Sequence, residues 1–321
     1  MQAIETGLIA IGADRPSPDY ERLLARIVDA VRRMPGAGRV ADYIPELAHV
    51  APDRFGIAVA TMSGELHVAG DGHVPFSIQS ISKLFALVLA LQNEGDSLWD
   101  RVGREASGTP FNSLVLLEAE GGKPRNPFVN AGALAVTDLL CSRFAIPENA
   151  VMEFLQRTLG RDNVRYDERV ARSERAHADR NAAMAHLMKS FGRLRNPVDV
   201  VLDAYCRQCA IELSCADLAR AVLFLAGGGR VPWSGERVLR TTLAKRVNAL
   251  LMTCGTYDAA GDFAFRVGLP AKSGVGGGIV AVVPGECGIC VWSPRLDESG
   301  NSSAGVHALE LLTMLSGRSI F

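Results

Sequence analysis

The sequence predicts a mixed α+β or α/β protein, in which an antiparallel sheet is flanked by helices and a helical domain is inserted between its strands. Strand-like runs occur near both ends of the chain, helix-like runs fill its middle, and 321 residues suffice for one large domain or two closely packed ones. The expected division gives residues 1–75 plus 225–321 to the sheet domain and residues 76–224 to the helical domain, with the candidate site between them.

Two predicted hairpins supply the sheet. Near the N-terminus, residues 55–62 and 65–69 are strand-like and flank a Ser-Gly pair. Near the C-terminus, residues 279–283 and 288–292 form two further apolar runs joined through a Pro-Gly pair. Because these runs come from opposite ends of the chain, we expect N-terminal and C-terminal strands to form one sheet, with the helical domain inserted between them in sequence.

The middle of the chain has helical periodicity and helix-boundary residues. Pro147, for example, stands where a first helical residue is expected. Helices are predicted at residues 80–92, 131–144, 148–159, 181–190 and 198–209.

Composition limits the classes of partner and compartment. Hydrophobic residues make up 48% and charged residues 21%, with a formal net charge of −1, so no nucleic-acid or membrane-surface partner is expected. The first residues contain no basic segment followed by an apolar one, and no run has the length of a membrane span. The sequence therefore predicts a cytoplasmic protein.

Seven cysteines include two C-x-x-C pairs, Cys206/Cys209 and Cys287/Cys290. A zinc site is one interpretation, but the pairs are far apart in sequence, and Cys287 and Cys290 should face opposite sides of a strand. Buried small apolar side chains are the favoured interpretation, and no metal is expected.

A first candidate motif for chemistry is Ser80-Ile81-Ser82-Lys83. Ser and Lys three positions apart share one helix face, so the amine can reach the hydroxyl. A desolvated lysine is neutral near physiological pH and can act as a base. A capped helix with a surface lysine is the structural alternative.

A second candidate motif is Lys272-Ser273-Gly274, followed by Val275 and three glycines. In serine hydrolases of the penicillin-recognising type, a Lys-Ser/Thr-Gly strand lies opposite the S-x-x-K motif. A glycine-rich turn entering a strand is the alternative. The middle motif of that group is missing, since the one Ser-x-Asn, Ser299-Gly300-Asn301, follows the third motif and is out of order.

Longer motifs in the same order make the chain resemble the glutaminase family in its bacterial form. The resemblance extends over nearly the whole chain from about Gly36, and it implies a beta-lactamase-like fold, which also explains the missing middle motif. The motifs are VADYIP at 40–45, VPFSIQS at 74–80, NPFVNAGA at 126–133, CGTYD at 254–258 and KSGVGGG at 272–278.

The resemblance implies a role for each matching residue. Ser80 matches the nucleophile, Lys83 the adjacent base and Tyr257 a tyrosine that assists proton transfer. The backbone N–H groups of Ser80 and Val275 match the oxyanion hole. The substrate-binding set, which also includes Ser80, Tyr257 and Val275, is completed by Tyr43, Asn130, Glu174, Asn181 and Tyr205.

The chemistry of glutamine agrees with this set. Glu174 can pair with the ammonium of the substrate, while Tyr43, Asn130 and Asn181 offer hydrogen bonds to its carboxylate or amide. If residues 174–181 form one helix, Glu174 and Asn181 share a face. If Asp179 caps a new helix, the geometry comes from a loop instead.

The expected reaction is hydrolysis of L-glutamine to L-glutamate and ammonia through a Ser80 acyl-enzyme, without a cofactor. The resemblance also implies a homodimer or homotetramer. Two alternatives remain open: another serine acyl hydrolase on the same scaffold, such as a beta-lactamase-like enzyme or peptidase, and a non-catalytic amino-acid-binding protein.

Overall fold

The structure, a computed structural model, describes residues 17–34, 36–108 and 113–321. Residues 1–16, on which the prediction of no secretory leader rests, lie outside the described residues. Among the described residues, none of the helices is both long enough and apolar enough to span a membrane.

Helices lie at Tyr20–Arg32 (α1), Pro45–Ala48 (α2), Ser82–Glu94 (α3), Leu98–Arg101 (α4), Leu114–Ala119 (α5), Asn130–Arg143 (α6), Pro147–Leu159 (α7), Glu168–Ala176 (α8), Asp179–Ser190 (α9), Val198–Cys209 (α10), Cys215–Ala221 (α11), Leu223–Ala226 (α12), Thr241–Cys254 (α13), Ala260–Arg266 (α14) and Ser303–Ser316 (α15). Strands lie at Arg39–Val40 (β1), Gly56–Thr61 (β2), Leu66–Gly70 (β3), Phe76–Ser77 (β4), Arg165–Tyr166 (β5), Ile211–Leu213 (β6), Ala271–Ser273 (β7), Gly278–Val283 (β8), Cys287–Trp292 (β9) and Arg295–Leu296 (β10).

The main sheet joins the two ends of the chain. Its strand order is β3-β2-β9-β8-β7, and every neighbouring pair is antiparallel. Both predicted hairpins are therefore present, and β2 pairs with β9 across them. The predicted mixed fold, an antiparallel sheet flanked by helices, is confirmed.

Both faces of this sheet are buried. Ile57 and Ile289 pack with α1 and α15 on one face, whereas Ala58 and Cys290 pack with α3 and α11 on the other. Strands covered on both faces read as continuous apolar runs rather than alternating ones, as β2, β8 and β9 do. Cys287 and Cys290 belong to opposite faces, as the strand period predicts.

Helix α3 runs through the middle of the molecule. Every residue from Ser82 to Leu91 is buried, so the helix has no polar face in its first three turns. Burial of a large apolar side chain such as Phe85 contributes about 1.5–3 kcal/mol. The same burial encloses Lys83, which stands in the first turn of this helix.

A small three-stranded sheet, β4-β6-β5, was not predicted. Its strands have two or three residues, too few for a period of two to be recognised in sequence. It nevertheless matters for the site, because β4 leads directly into Ser80. The division into residues 1–75 plus 225–321 and residues 76–224 stays a prediction.

Candidate active site

Ser80 lies on a strained turn between β4 and α3. It is the middle residue of the 3₁₀ turn Gln79–Ile81, so it precedes the α-helix rather than beginning it. Gln79 has φ +49°, a left-handed conformation that costs a non-glycine residue about 1–3 kcal/mol. The Gln79 amide donates to Ser77 Oγ (3.0 Å), and Ser77 donates to the Cys209 carbonyl (2.9 Å). These buried bonds hold the turn.

Lys83 is a buried amine with a defined set of acceptors. Its Nζ donates to the Phe128 carbonyl (3.1 Å) and to Asn130 Oδ1 (2.7 Å), and it lies 5.9 Å from the Tyr205 ring centre. Desolvation lowers the pKa of Lys83 to about 8, although the charges of Cys209 and Glu174 oppose that shift. A neutral amine has two N–H donors, both satisfied here, and its lone pair remains available as a base.

The loop that receives Lys83 is itself fixed by a buried amide. Asn126 Oδ1 accepts hydrogen bonds from the N–H groups of Phe128 (2.9 Å) and Val129 (3.1 Å), and its Nδ2 donates to the Glu105 carbonyl (2.8 Å). This arrangement aims the Phe128 carbonyl at Lys83. Sequence reasoning assigned Asn126 no role, although the residue opens one of the quoted motifs.

Tyr257 lies on a second strained turn, which brings its side chain into contact with Ser80. Its φ is +61°, and it begins the 3₁₀ turn Tyr257–Ala259. Its hydroxyl shares a hydrogen bond with the Ser80 hydroxyl and donates to the Ser273 carbonyl (3.3 Å). Burial raises the pKa of Tyr257, while the bond from Ser80 opposes this rise. Within the described residues, Lys83 makes no hydrogen bond to Ser80, so Tyr257 is the direct partner of this hydroxyl at rest.

The glycines of the KSGVGGG motif allow two distant segments to touch. A Cβ at Gly274 would stand 2.5 Å from the Ile78 carbonyl oxygen, and one at Gly276 would stand 2.2 Å from that of Ser77. Side chains at these positions would therefore push the loop away from the strand that leads to Ser80. Trp292 closes the junction: its indole N–H donates to the Gly276 carbonyl (2.9 Å), and its ring stacks on Phe76 at 5.0 Å.

Two backbone donors remain free at this junction. Across the described part of the chain, neither the N–H of Ser80 nor that of Val275 donates to another protein atom. Both residues are mostly buried, at 7% and 6% exposure. Buried N–H groups without an acceptor are uncommon, and here they flank a hydroxyl.

Glu174 brings a carboxylate to the same region from α8. Its Oε2 atom is buried and has no hydrogen-bond partner within the described structure. Desolvation raises the pKa of Glu174 to about 7, against the opposing effects of a hydrogen bond from Gln79 and of the charges on Lys83 and His177. A buried carboxylate oxygen without a partner is expected to bind a cationic group.

Glu174 and Asn181 stand on separate helices, α8 and α9, so the single-helix alternative is wrong. The turn at His177 and Ala178 separates them, and the N-cap of α9 is Ala178 rather than Asp179, which is the first residue of the helix. Asn181 Oδ1 accepts a hydrogen bond from Asn130 Nδ2 (2.9 Å), which links it to the amide that contacts Lys83.

The two tyrosines differ in exposure. Tyr205, on α10, is 3% exposed and lies beneath Lys83, whereas Tyr43 is 54% exposed. Desolvation raises the pKa of the Tyr43 hydroxyl, and the charges of Glu174 and Tyr257 raise it further. The hydroxyl end of Tyr43 therefore faces the site while much of its ring faces solvent.

Hydrogen bonds and ring contacts link most of the residues selected from sequence to one another, and the structure adds Gln79, which contacts both Ser77 and Glu174. A left-handed residue next to Ser80 gives no signal in a sequence, so Gln79 was missed. Among the described residues, no group of His, Cys, Asp and Glu side chains could hold a metal ion. The zinc interpretation of the C-x-x-C pairs has no geometric support there.

A model of the family described as Glutaminase matches residues 38–321. This match covers most of the chain, including every residue of the site described above. The chain belongs to the glutaminase family. Membership agrees with the resemblance found in the motifs.

Similar proteins support the same assignment over nearly the full length. The chain is 65% identical over 303 residues to a glutaminase of Ralstonia nicotianae, covering 94% of this chain and 100% of that protein. It is 57% identical to a glutaminase of Streptomyces coelicolor over 302 residues, covering 94% of this chain and 98% of that protein.

Solved structures of glutaminases have the same fold. A probable glutaminase, ybaS, superposes with a TM-score of 0.89 at 38% identity, covering 94% of this chain and 98% of that one. A probable glutaminase of Bacillus subtilis superposes with a TM-score of 0.84 at 35% identity, covering 94% and 96%. The protein Mglu in its glutamate form superposes with a TM-score of 0.88 at 40% identity, covering 95% of this chain and 70% of that one.

Proposed function

We propose that this protein hydrolyses the side-chain amide of L-glutamine to L-glutamate and ammonia through an acyl-enzyme on Ser80. The observation that carries the proposal is the surroundings of that hydroxyl, which lies among a buried tyrosine, a buried lysine of lowered pKa and two free backbone donors. Family membership and the glutaminase relatives support the substrate.

Activation of Ser80 uses Lys83 together with Tyr257. The Ser80 hydroxyl is bonded to Tyr257 at rest, and neutral Lys83 has a lone pair, since its two remaining N–H groups are directed to Phe128 and Asn130. When substrate enters, Lys83 accepts the Ser80 proton, with Tyr257 assisting, and the oxygen attacks the amide carbon. Hydrogen bonds at catalytic groups commonly form only with substrate present, so a resting Lys83 that is not bonded to Ser80 is compatible with this role.

The negative charge that develops on the amide oxygen is bound by the N–H groups of Ser80 and Val275. They have no competing acceptor within the described residues, and the packed glycine loop fixes their separation before substrate arrives. Such preorganised donors stabilise the transition state more than the ground state.

The amino-acid end of glutamine carries an ammonium and a carboxylate. Glu174 Oε2 is the acceptor for the ammonium, which replaces the missing partner of that oxygen. Asn130, Asn181 and Tyr43 donate to the carboxylate or amide, and Tyr205 lines the site beneath Lys83. A relative in its glutamate form, Mglu, supports a site that accommodates the product.

Collapse of the tetrahedral intermediate releases ammonia, which takes its proton from Tyr257 or Lys83. Water then attacks the γ-glutamyl ester of Ser80, and the same pair removes the proton of that water. The carbon remains at one oxidation level throughout, so the reaction needs no redox cofactor, and Ser80 supplies the nucleophile.

The proposal also includes the predicted domain division, cellular compartment and oligomeric state. Residues 1–75 plus 225–321 supply Tyr43, Tyr257 and Val275, and residues 76–224 supply the other site residues. All seven cysteines are free, which fits a reducing compartment and thus the cytoplasm. The family resemblance supports a homodimer or homotetramer.

The test is ammonia release from L-glutamine by the purified protein beside Ser80→Ala. Release by the native protein and none by the variant is the expected result. Turnover of nitrocefin or a peptide without ammonia release would indicate another serine acyl hydrolase. Binding of glutamine without release, unchanged in the variant, would indicate an amino-acid-binding protein.

A further inference from the structure

Lys272 is completely buried, with 0% of its surface exposed, and the reaction described above does not use it. Its Nζ donates to the carbonyls of Gly255 (2.9 Å) and Ser273 (2.6 Å). The same atom lies 4.6 Å from the Tyr257 ring centre and 5.7 Å from that of Phe128. A buried lysine that serves only backbone carbonyls and ring faces is costly, so its position needs a reason.

Asn301 is the second unexplained polar group, and it belongs to the out-of-order Ser-x-Asn motif. It is 1% exposed. Its Oδ1 accepts a hydrogen bond from Ser273 Oγ, and its Nδ2 donates to the Thr256 carbonyl (3.2 Å). The motif therefore does not supply a middle catalytic group but bridges the strand β7 to the residue before Tyr257.

The two side chains meet at the turn that carries Tyr257. Lys272 and the N–H of Ser273 both donate to the Gly255 carbonyl, and Asn301 donates to the next carbonyl along the chain, that of Thr256. Ser273 is the common anchor, since its carbonyl accepts from both Lys272 and the Tyr257 hydroxyl. A left-handed tyrosine persists only where its surroundings over-determine it, and these bonds do so.

We propose that Lys272 and Asn301 are positioning residues, which together hold the Gly255–Tyr257 turn so that the Tyr257 hydroxyl meets Ser80. They act through Tyr257 and touch neither substrate nor reacting atoms. The proposal rests on the proposed function, because it assigns these residues to the step in which Ser80 is activated.

The test is a double-mutant cycle with Tyr257→Phe. Lys272→Met keeps the length and apolar stem of the side chain and removes its N–H donors, and Asn301→Leu removes both hydrogen bonds of the amide. Each variant is expected to lower kcat for glutamine about 10- to 100-fold with KM nearly unchanged, since a misplacement of about 1 Å at the reacting group has this effect. In the Tyr257→Phe background, neither change should lower kcat further.

Thr137→Val is the matched control. Thr137 is also 0% exposed and donates one buried hydrogen bond, to Gln208, in the helical region. This variant should lower thermal stability but should not be coupled energetically to Tyr257. Its small effect on kcat should therefore multiply with the effect of Tyr257→Phe. If Lys272→Met does not fold, the cycle is completed with Asn301→Leu.

A second readout separates this proposal from the glutaminase proposal. The rate at which a fluorophosphonate labels Ser80 is measured in the same variants, since it requires an activated serine but no glutamine. If the native protein is labelled yet releases no ammonia, the proposed substrate is wrong, and the cycle of labelling rates still tests whether Lys272 and Asn301 position Tyr257. The positioning role would be overturned by either of two results. One is that the losses of kcat in Lys272→Met and Asn301→Leu multiply with the loss in Tyr257→Phe. The other is that these variants change KM alone.

Discussion

Two turns of the molecule, residues 79–81 and 257–259, present the same features with different consequences. Each contains a left-handed residue that is not glycine, and each has a buried lysine near it: Lys83 follows the first turn in sequence, and Lys272 lies 4.6 Å from the Tyr257 ring centre. Lys83 donates to the Asn130 side chain and one carbonyl in the site, whereas Lys272 donates to two backbone carbonyls beneath Tyr257. Burial alone therefore does not define a base; the atoms around the amine decide whether its lone pair can reach a substrate.

Lys83→Met should produce the largest difference between the two turns. Loss of a general base commonly reduces kcat by ~10²–10⁴-fold, more than the loss expected for Lys272→Met, because Lys83 is proposed to exchange a proton with the reacting groups. Steady-state ammonia release measures it. Lys123→Met is the control, since Lys123 also donates to a backbone carbonyl, that of Trp99, but away from the site. Equal losses in all three variants would contradict the distinction.

Val275→Pro should lower kcat by ~10²–10³-fold, because proline removes one of the two N–H donors proposed for the oxyanion. Val275→Ala, which keeps the donor, should remain within a few-fold of the native enzyme. A proline variant that folds, judged by circular dichroism, and retains full activity would remove Val275 from the oxyanion hole.

Lowering the pH should affect kcat and KM through two different groups, Lys83 and Glu174. Glu174 is ionised above its pKa of about 7, and Lys83 is neutral above its pKa of about 8, so lowering the pH disables both groups. We expect kcat to fall by about tenfold per pH unit below 8, and KM for glutamine to rise below 7 as Glu174 gains its proton. Profiles from pH 5.5 to 9 measure both, and a kcat that stays constant over this range would contradict the role of Lys83.

Asn126→Ala should affect the Lys83 side of the comparison only. It removes the bonds that aim the Phe128 carbonyl and should cost about 1–3 kcal/mol of unfolding free energy, with kcat reduced by about tenfold. Asn196→Ala, which removes a side-chain amide bonded to Asp138 in the helical region, is the control. Similar destabilisation with unchanged kcat is expected for it, as measured by urea unfolding and initial rates.

Much of the fold and site was predictable because its signals are local in sequence. The apolar runs of β2, β8 and β9 and the motifs around Ser80, Lys83 and Val275 are contiguous stretches. Glu174, by contrast, was selected only by resemblance, since nothing in its charged neighbourhood distinguishes it. The buried oxygen of Glu174 that lacks a partner becomes evident only when α8 is placed beside the turn that contains Gln79 and Ser80.

The remainder could not be predicted because it consists of contacts between distant segments. The Lys272-Ser273-Gly274 motif was predicted to lie opposite Ser80-x-x-Lys83, but the bonds of the Lys272 amine to the carbonyls of Gly255 and Ser273 could not be read from the motif. Asn301 appeared as a misplaced motif, and its use depends on Thr256 and Ser273 lying beside it. Left-handed backbone at Gln79 and Tyr257 likewise comes from tertiary bonds, because neither residue type favours it.

Trp292 connects the strand before Ser80 to the glycine loop around Val275, since its ring stacks on Phe76 and its indole N–H donates to the Gly276 carbonyl. The strand that leads to Ser80 and the glycine loop around Val275 therefore acquire their relative position only after two segments far apart in sequence have met around one indole. During synthesis, the segment that contains Ser80 emerges before the strands around Trp292, so this junction forms only after those strands have followed. The burial of this indole during refolding should therefore coincide with the appearance of activity.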